Sequence, residues 1–326
     1  MRALALFSGG LDSMLAMKTI SDMGIEVIAL HMNTGFGGSK DKRAIMERRA
    51  KIAGAKFEVI DIREEFIKKI LFDPKHGYGK YFNPCIDCHG YMFKIAKALL
   101  PKYDASFIIT GEVVGQRPMS QRLDAIETVT ELAEDEDGLI LRPMTAKNLK
   151  PTKPEIEGWV DREKLYGIKG RSRETQLSLA KKFGWEDYQS PGGGCLLTEA
   201  YFSKKIEEFV KYDKLEVEDI NVLKYGRHFR LPDGAKLVVG RNQEENETIS
   251  KINSNKYEFI KLPVIGPLSL ISKNASDSDK ELATRIALTY AKTSPNQSYH
   301  VKVGDKTYLS TPFESKTKPQ EYFIQA

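Results

Sequence analysis

Buried-strand and helix patterns alternate through roughly the first 200 residues of this chain and then give way to short strand pairs. That order predicts an α/β fold, a doubly wound parallel sheet with a smaller C-terminal α+β domain. Three observations carry the expectation. The apolar run Ala3-Leu4-Ala5-Leu6-Phe7 reads as a buried strand that passes through Ser8-Gly9-Gly10-Leu11-Asp12-Ser13 into a helical segment, Met14 to Met23. Runs of the same kind recur at Glu26–Met32, Phe57–Asp61, Ala105–Thr110 and Leu139–Leu141, with helical stretches between them, as right-handed strand–helix–strand units require. From about Tyr201 the pattern changes to hairpins, so the domains are expected at residues 1–200 and 201–326.

Composition narrows the class. With 41% apolar and 29% charged residues in 326, the chain can bury two ordinary cores and is neither fibrous nor disordered. No apolar run approaches the roughly 20 residues of a membrane span. The N-terminus reads straight into a core strand, so no signal peptide is expected and the location inferred is cytoplasmic. A net charge of +5 permits a polyanionic partner without requiring one. Three cysteines, Cys85, Cys88 and Cys195, are too few for a disulfide scaffold and point to chemistry.

The first glycine turn is the sharpest signal. A strand, a glycine turn and a helix N-terminus in succession present outward N–H groups and the positive end of a helix dipole, which suits a phosphate. Gly9 and Gly10 let the backbone approach its oxygens, Ser8 and Ser13 offer hydroxyls, and Asp12 is placed to hold magnesium. The lysine of the GxxxxGK[ST] loop is missing, so this is a different phosphate loop.

After the second strand, Asn33 to Gly38 forms a loop at a C-terminal strand end, where ligands of open α/β sheets bind, with His31 facing the same place. A helix over Lys40 to Gly54 is expected to turn Ile45, Met46 and Ile52 inward and Lys40, Lys42, Arg43, Arg48, Arg49 and Lys51 outward. A short helix, Glu64 to Phe72, and a loop, Asp73 to Pro84, lead to Cys85 and Cys88 at the start of a helix ending near Leu99. That position lowers a thiol pKa and suits thiolates or metal ligands. The strand ending at Thr110 opens a second glycine loop in which Gly111, Gly115, Gln116 and Ser120 are candidates for nucleotide or substrate contact. Helices are expected at Ala125–Leu132, Ile156–Leu165 and a stretch ending near Phe183, and the acidic run Ala133 to Gly138 reads as solvated. Three glycines, Gly192 to Gly194, precede Cys195 and would let its thiol reach different partners.

In the tail, Tyr201 to Lys211 reads as an amphipathic helix. Lys224–Leu231 and Lys236–Gly240 flank a turn at Pro232-Asp233-Gly234, the signature of a hairpin. Phe259–Leu262 and Leu268–Ile271 read as strands and Asp279–Ala291 as a helix, with a last hairpin, His300–Val303 and Thr307–Leu309, across Gly304-Asp305. His76, His228 and His300 read as turn or surface residues.

SGGLDS, NPCIDCHGYMFKIA, TGEVVGQRPMSQ and LRPM, in this order, resemble the PP-loop ATP-pyrophosphatase superfamily in its thiouridine-forming branch. The second glycine loop and LRP are similar to tRNA 4-thiouridine synthetase; NPxxxC and the late cysteine are similar to tRNA-specific 2-thiouridylase. The stretch Gly234 to Ser250 resembles the RNA-binding module of ribosome quality-control proteins. The resemblance implies ATP and Mg2+ as cofactors, tRNA as substrate, and Ser8, Gly9, Gly10, Asp12 and Ser13 as the pyrophosphate and magnesium site. It also implies Gly111 and Gln116 near the nucleotide, and Cys88 and Cys195 as the sulfur-handling pair.

The reaction so implied adenylates a uridine carbonyl oxygen and replaces it with sulfur. Two sulfur routes fit three cysteines: a persulfide on Cys195 resolved by Cys88 or Cys85, or an iron–sulfur (4Fe-4S) cluster on Cys85, Cys88 and Cys195 with one iron open. A structural zinc with His89 as fourth ligand would close the site. The sulfur donor would be a cysteine desulfurase, a relay protein or free sulfide. The alternatives are a PP-loop enzyme that adenylates RNA for amine or amide formation, and a non-catalytic nucleotide-sensing RNA-binding protein.

Overall fold

In the computed structural model, which describes residues 1–38, 42–188, 194–252 and 255–324, the chain forms two compact units, Met1–Cys195 and Leu196–Ala326. The first alternates strands and helices. In order they are β1 (Arg2–Leu6), α1 (Leu11–Ser21), β2 (Glu26–Asn33), α2 (Arg43–Ile52), β3 (Ala55–Asp61), α3 (Arg63–Phe66), α4 (Cys85–Leu99), β4 (Phe107–Thr110), α5 (Leu123–Leu132), β5 (Ile140–Leu141), α6 (Lys153–Ile156) and α7 (Glu174–Lys182). The strands lie in the order β3-β2-β1-β4-β5, all parallel, with Ala3 beside both Val27 and Phe107.

Because successive side chains of a strand face opposite ways, the central strand feeds two cores. Ala3 and Ala5 pack with Met14, Met17, Met46 and Ile109 on one face; Leu4 packs with Leu30, Phe93, Ala96 and Val129 on the other. Helices α1 and α2 therefore cover one side and α4 and α5 the other, which is the doubly wound arrangement. β1 sits in the middle with neighbours wound in opposite senses, so its C-terminal end opens a crevice at the switch point of the sheet.

The second unit holds α8 (Ala200–Phe209), α9 (Val217–Lys224), β6 (Arg227–Arg230), β7 (Lys236–Val239), α10 (Gln243–Ile249), β8 (Tyr257–Lys261), β9 (Ser269–Ser272), α11 (Asp277–Thr289), β10 (Tyr299–Val303) and β11 (Lys306–Ser310). Its sheet, β11-β10-β8-β9-β7-β6, is antiparallel throughout. Phe229, Leu237, Val239, Ile271 and Val301 face α11 through Ala283, Ile286 and Ala287, while Val238 and Leu270 pack with Val222 and Ile249 on the other side.

Four expectations need correction. The helix expected over Ile156–Leu165 is only α6, ending at Ile156, and a single 3-10 turn at Arg162–Lys164. Gly158 sits at φ +68°, a left-handed conformation that ends the helix. Lys224 is the last residue of α9 and does not open the strand; Gly226, at φ +83°, separates the two. His228 is buried inside β6 with no surface exposed, contrary to its reading as a turn or surface residue. Within the acidic run, Asp135 is buried and accepts hydrogen bonds from the N–H groups of Leu139 (2.8 Å) and Ile140 (2.9 Å), so it anchors the approach to β5.

Candidate functional site

The C-terminal end of β1 delivers Ser8 to Ser13. Gly9 has φ +80°, a conformation that excludes side chains, and Gly10 is the N-cap of α1 with no side chain capping it. The first-turn N–H groups of α1 thus have no capping side chain and point toward the crevice together with the positive end of the helix dipole. Ser8 is exposed. The Ser13 hydroxyl, expected to serve a phosphate, donates instead to the Gly10 carbonyl at 2.8 Å and so stiffens the loop.

Gly111, at the end of β4, packs against this loop. A Cβ there would lie 2.3 Å from the Ser13 nitrogen and 2.5 Å from the Asp12 carbonyl carbon. Its lack of a side chain lets β4 and α1 meet at the crevice; the glycine shapes the wall against which the nucleotide was expected.

Asp12 is the hub of a polar chain. Its Oδ2 accepts from Gln116 Nε2 at 2.7 Å and from an Arg173 terminal nitrogen at 3.2 Å, and Gln176 Nε2 donates to Gln116 Oε1 at 2.9 Å. Among the described residues, buried Asp12 Oδ1 has no hydrogen-bond partner. A buried carboxylate oxygen left unpaired costs on the order of 1–3 kcal/mol, and this one fits a ligand to Mg2+.

His31, near the end of β2, has Nδ1 3.2 Å from the Phe7 carbonyl, and burial holds its pKa below the usual value. Arg49, expected to point to solvent, turns inward. One terminal nitrogen donates to the Gly9 carbonyl at 3.1 Å, and the guanidinium pairs with Asp187 at 3.0 Å, so α2 braces the loop from behind. Ile45 and Ile52 are correspondingly exposed, and Met46 is buried as expected. Lys40 lies outside the described residues.

The cysteines occupy the same end of the sheet. α4 runs into β4, so in a parallel sheet its N-terminus stands at the edge where the strands end. Cys85 is its first residue and Cys88 lies in its first turn, while Cys195 forms a backbone bridge with Gly37 in the loop after β2. All three are thiols outside any disulfide.

Their acidity differs from expectation. Burial pushes Cys85 up against the opposing effects of the Asn83 side chain, 3.2 Å from Sγ, and Arg117. Burial pushes Cys88 further, and the negative charges of Cys195, Cys85 and Asp87 add to it. The helix N-terminus does not win here, because desolvation of a thiolate outweighs it. Among the described residues, no group of three His, Cys, Asp or Glu could hold a metal ion, so the expected metal set of Cys85, Cys88 and Cys195 is not preassembled. Gly192 and Gly193 lie outside the described residues.

Around these thiols the scaffold is rigid. Asp87 accepts from the N–H groups of Lys75 (2.9 Å) and His76 (3.0 Å), pinning the preceding loop to α4. His89 gives Nδ1 to Glu112 at 2.9 Å, and buried Arg142 pairs with the same carboxylate at 2.9 Å. Burial alone would raise the Glu112 pKa, but Arg142 and His89 bring it below the ordinary value. This leaves His89 engaged by Glu112, away from the zinc role.

Sequence reasoning missed Arg49, Arg173, Gln176 and the Glu112–Arg142 pair. The one available signal was the spacing of Arg173 and Gln176 in GRSRETQ, three residues apart at the start of a helix.

Comparison with known proteins finds similarity in both units. Residues 2–86 match the family model described as the argininosuccinate synthase N-terminal HUP domain, and residues 226–323 match the NFACT protein RNA binding domain. The first match spans β1 to the start of α4 in the first unit, and the second spans β6 to beyond β11 in the second unit. A tRNA-specific 2-thiouridylase of Fusobacterium nucleatum is 27% identical over 213 residues, 63% of this chain and 56% of that protein. A probable tRNA sulfurtransferase of Thermococcus kodakarensis is 32% identical over 138 residues, 41% of this chain and 35% of that protein. The chain thus spans little more than half the length of these curated relatives, or less. A solved 4-thiouridine synthetase–RNA complex with bound ATP aligns over 68% of this chain and 52% of its own at 17% identity, with a TM-score of 0.41. No helix among the described residues is long and apolar enough to cross a membrane.

Proposed function

We propose that this chain is an ATP-dependent tRNA sulfurtransferase that converts a uridine to a thiouridine. Residues 1–200 would activate the base and transfer sulfur, and residues 201–326 would hold the RNA. The observation that carries this reading is the convergence, at one edge of the parallel sheet, of an uncapped helix N-terminus behind Ser8 to Ser13 and the thiols of Cys85, Cys88 and Cys195.

The carbonyl oxygen of the base attacks the α-phosphorus of ATP; the bond to the β,γ-phosphates breaks and pyrophosphate leaves. Gly9, Gly10 and the first turn of α1 receive its charge, and Gln116 orients Asp12. Magnesium held at Asp12 would screen the phosphates. The terminal sulfur of a persulfide on Cys195 then attacks the base carbon and AMP departs with the oxygen. Cys88 Sγ, its thiol proton passing to solvent, next attacks Cys195 Sγ, which leaves the other sulfur on the base and a Cys88–Cys195 disulfide for an external dithiol to reduce. The charge of Cys195 acts on Cys88, which supports this pairing. The cytoplasm is the compartment in which such a thiol pair would work.

Mass spectrometry of tRNA nucleosides from cells lacking the gene tests the proposal. Loss of one 2-thio or 4-thio nucleoside, restored by the wild type and not by Cys88→Ser or Cys195→Ser, is the expected result. Unchanged thionucleosides would remove the substrate assignment.

A further inference from the structure

Three of the buried polar atoms left without a partner fall on one chain of side chains. Among the described residues Asp12 Oδ1, Arg173 Nε and Gln176 Oε1 have no partner, and Asp12 is bonded directly to Arg173 and through Gln116 to Gln176, beside the Ser8 to Ser13 loop. Gln176 is completely buried, and the side chains of Arg173 and Asp12 are only 14% and 17% exposed. Each such atom is unfavourable by itself, so three on one network describe a cavity wall built for a ligand that offers both charge and hydrogen bonds.

Arg173 is also out of place electrostatically. It is the N-cap of α7, where the helix dipole is positive and a guanidinium is disfavoured; its own side chain makes no capping bond, and the Ser172 hydroxyl accepts from the Glu174 N–H at 3.4 Å. α7 packs on α1 through Leu11, Leu15 and Ala180, so two positive helix ends and an arginine surround one carboxylate. A single Asp12 oxygen does not balance that concentration of positive potential; a phosphate chain does.

We propose that Arg173 is a phosphate-binding residue that occupies the cation position at Asp12 while the loop is empty. When Mg2+ and ATP enter, the metal takes Asp12 and the guanidinium, released from it, turns its donors to the phosphates. The inference rests on the reading that the loop takes ATP. It adds an exchange of counter-ions: Arg173 competes with the metal for Asp12 and cooperates with it once nucleotide is present.

The two halves of that exchange predict opposite signs for one substitution. In full-length Arg173→Gln, Mn2+ without nucleotide, measured by electron paramagnetic resonance, should bind more tightly than in the wild type, because its competitor is gone. Calorimetric affinity for ATP with Mg2+ should fall by about 10- to 100-fold, the worth of a charge-assisted hydrogen bond. Arg173→Lys should recover part of the ATP affinity and report on folding. Weaker binding of both ligands would mark Arg173 as packing and overturn the proposal, as would an unchanged affinity for either. Asp12→Asn separates this from failure of the nucleotide reading: if that variant still binds Mn2+ and ATP as the wild type does, the loop is not the ATP site at all.

Discussion

At the scale of single residues, Gly111 shows how the site depends on an absent atom. The backbone of Asp12 and Ser13 fills the space its Cβ would need, and neither β4 nor α1 can retreat without opening the core that they share. Gly111→Ala is expected to cost about 1–3 kcal/mol. It should also displace Asp12, so denaturant unfolding should shift while calorimetry shows ATP binding reduced by more than the stability loss explains. A variant with wild-type affinity and stability would mean that the wall yields. Arg49 makes the complementary point: its partners, the Gly9 carbonyl and Asp187, are far apart in sequence, so only the tertiary fold reveals that it faces inward.

At the scale of elements, the second unit buries charge beneath α8. Lys205 is 4% exposed, donates to the Leu223 carbonyl and lies 4.9 Å from the ring centres of Tyr201 and Phe202. Burial first, and the nearby Lys236 charge second, bring its pKa down to about 7; burial brings Lys236, paired with Glu208 at 2.9 Å, to about 8. Between those values and the ordinary lysine pKa of about 10.4, the unfolded chain binds more protons, so stability rises with pH across that window. Below about pH 7 the full cost of the buried charge is present. Lys205→Met should therefore melt above the wild type by a margin that is largest below pH 7 and shrinks toward pH 10. A margin independent of pH would show that burial does not shift the Lys205 pKa at all. The helices and strands of the first unit were legible because strand runs and a glycine turn are local signals, and the tail strands were legible for the same reason. What escaped was set by tertiary context: α9 and α10 carry weak periodicity, His228 is buried by packing across β6 and β7, and burial reversed the acidity that a helix terminus alone would give Cys88. In the candidate site, the loop and the cysteines were visible as motifs, while Arg173 and Gln176 join Asp12 from more than 150 residues away.

At the scale of the whole molecule, a match to a HUP domain and a match to an RNA-binding domain fall on one chain with a net charge of +5. If tRNA is the substrate, its phosphates should contribute much of the affinity. With about four phosphate contacts, binding should weaken on the order of 100-fold between about 50 and 200 mM salt, as filter binding would measure. A flat salt profile would argue that the RNA is held by its bases alone. The parallel sheet has a further practical consequence. The candidate site lies where its strands end, so the turns where they begin carry none of its residues. The turn from Pro101 to Asp104, with Lys102 exposed, lies at that opposite rim and can carry a fluorophore or a surface tether. Such a label could follow single molecules without touching the candidate site.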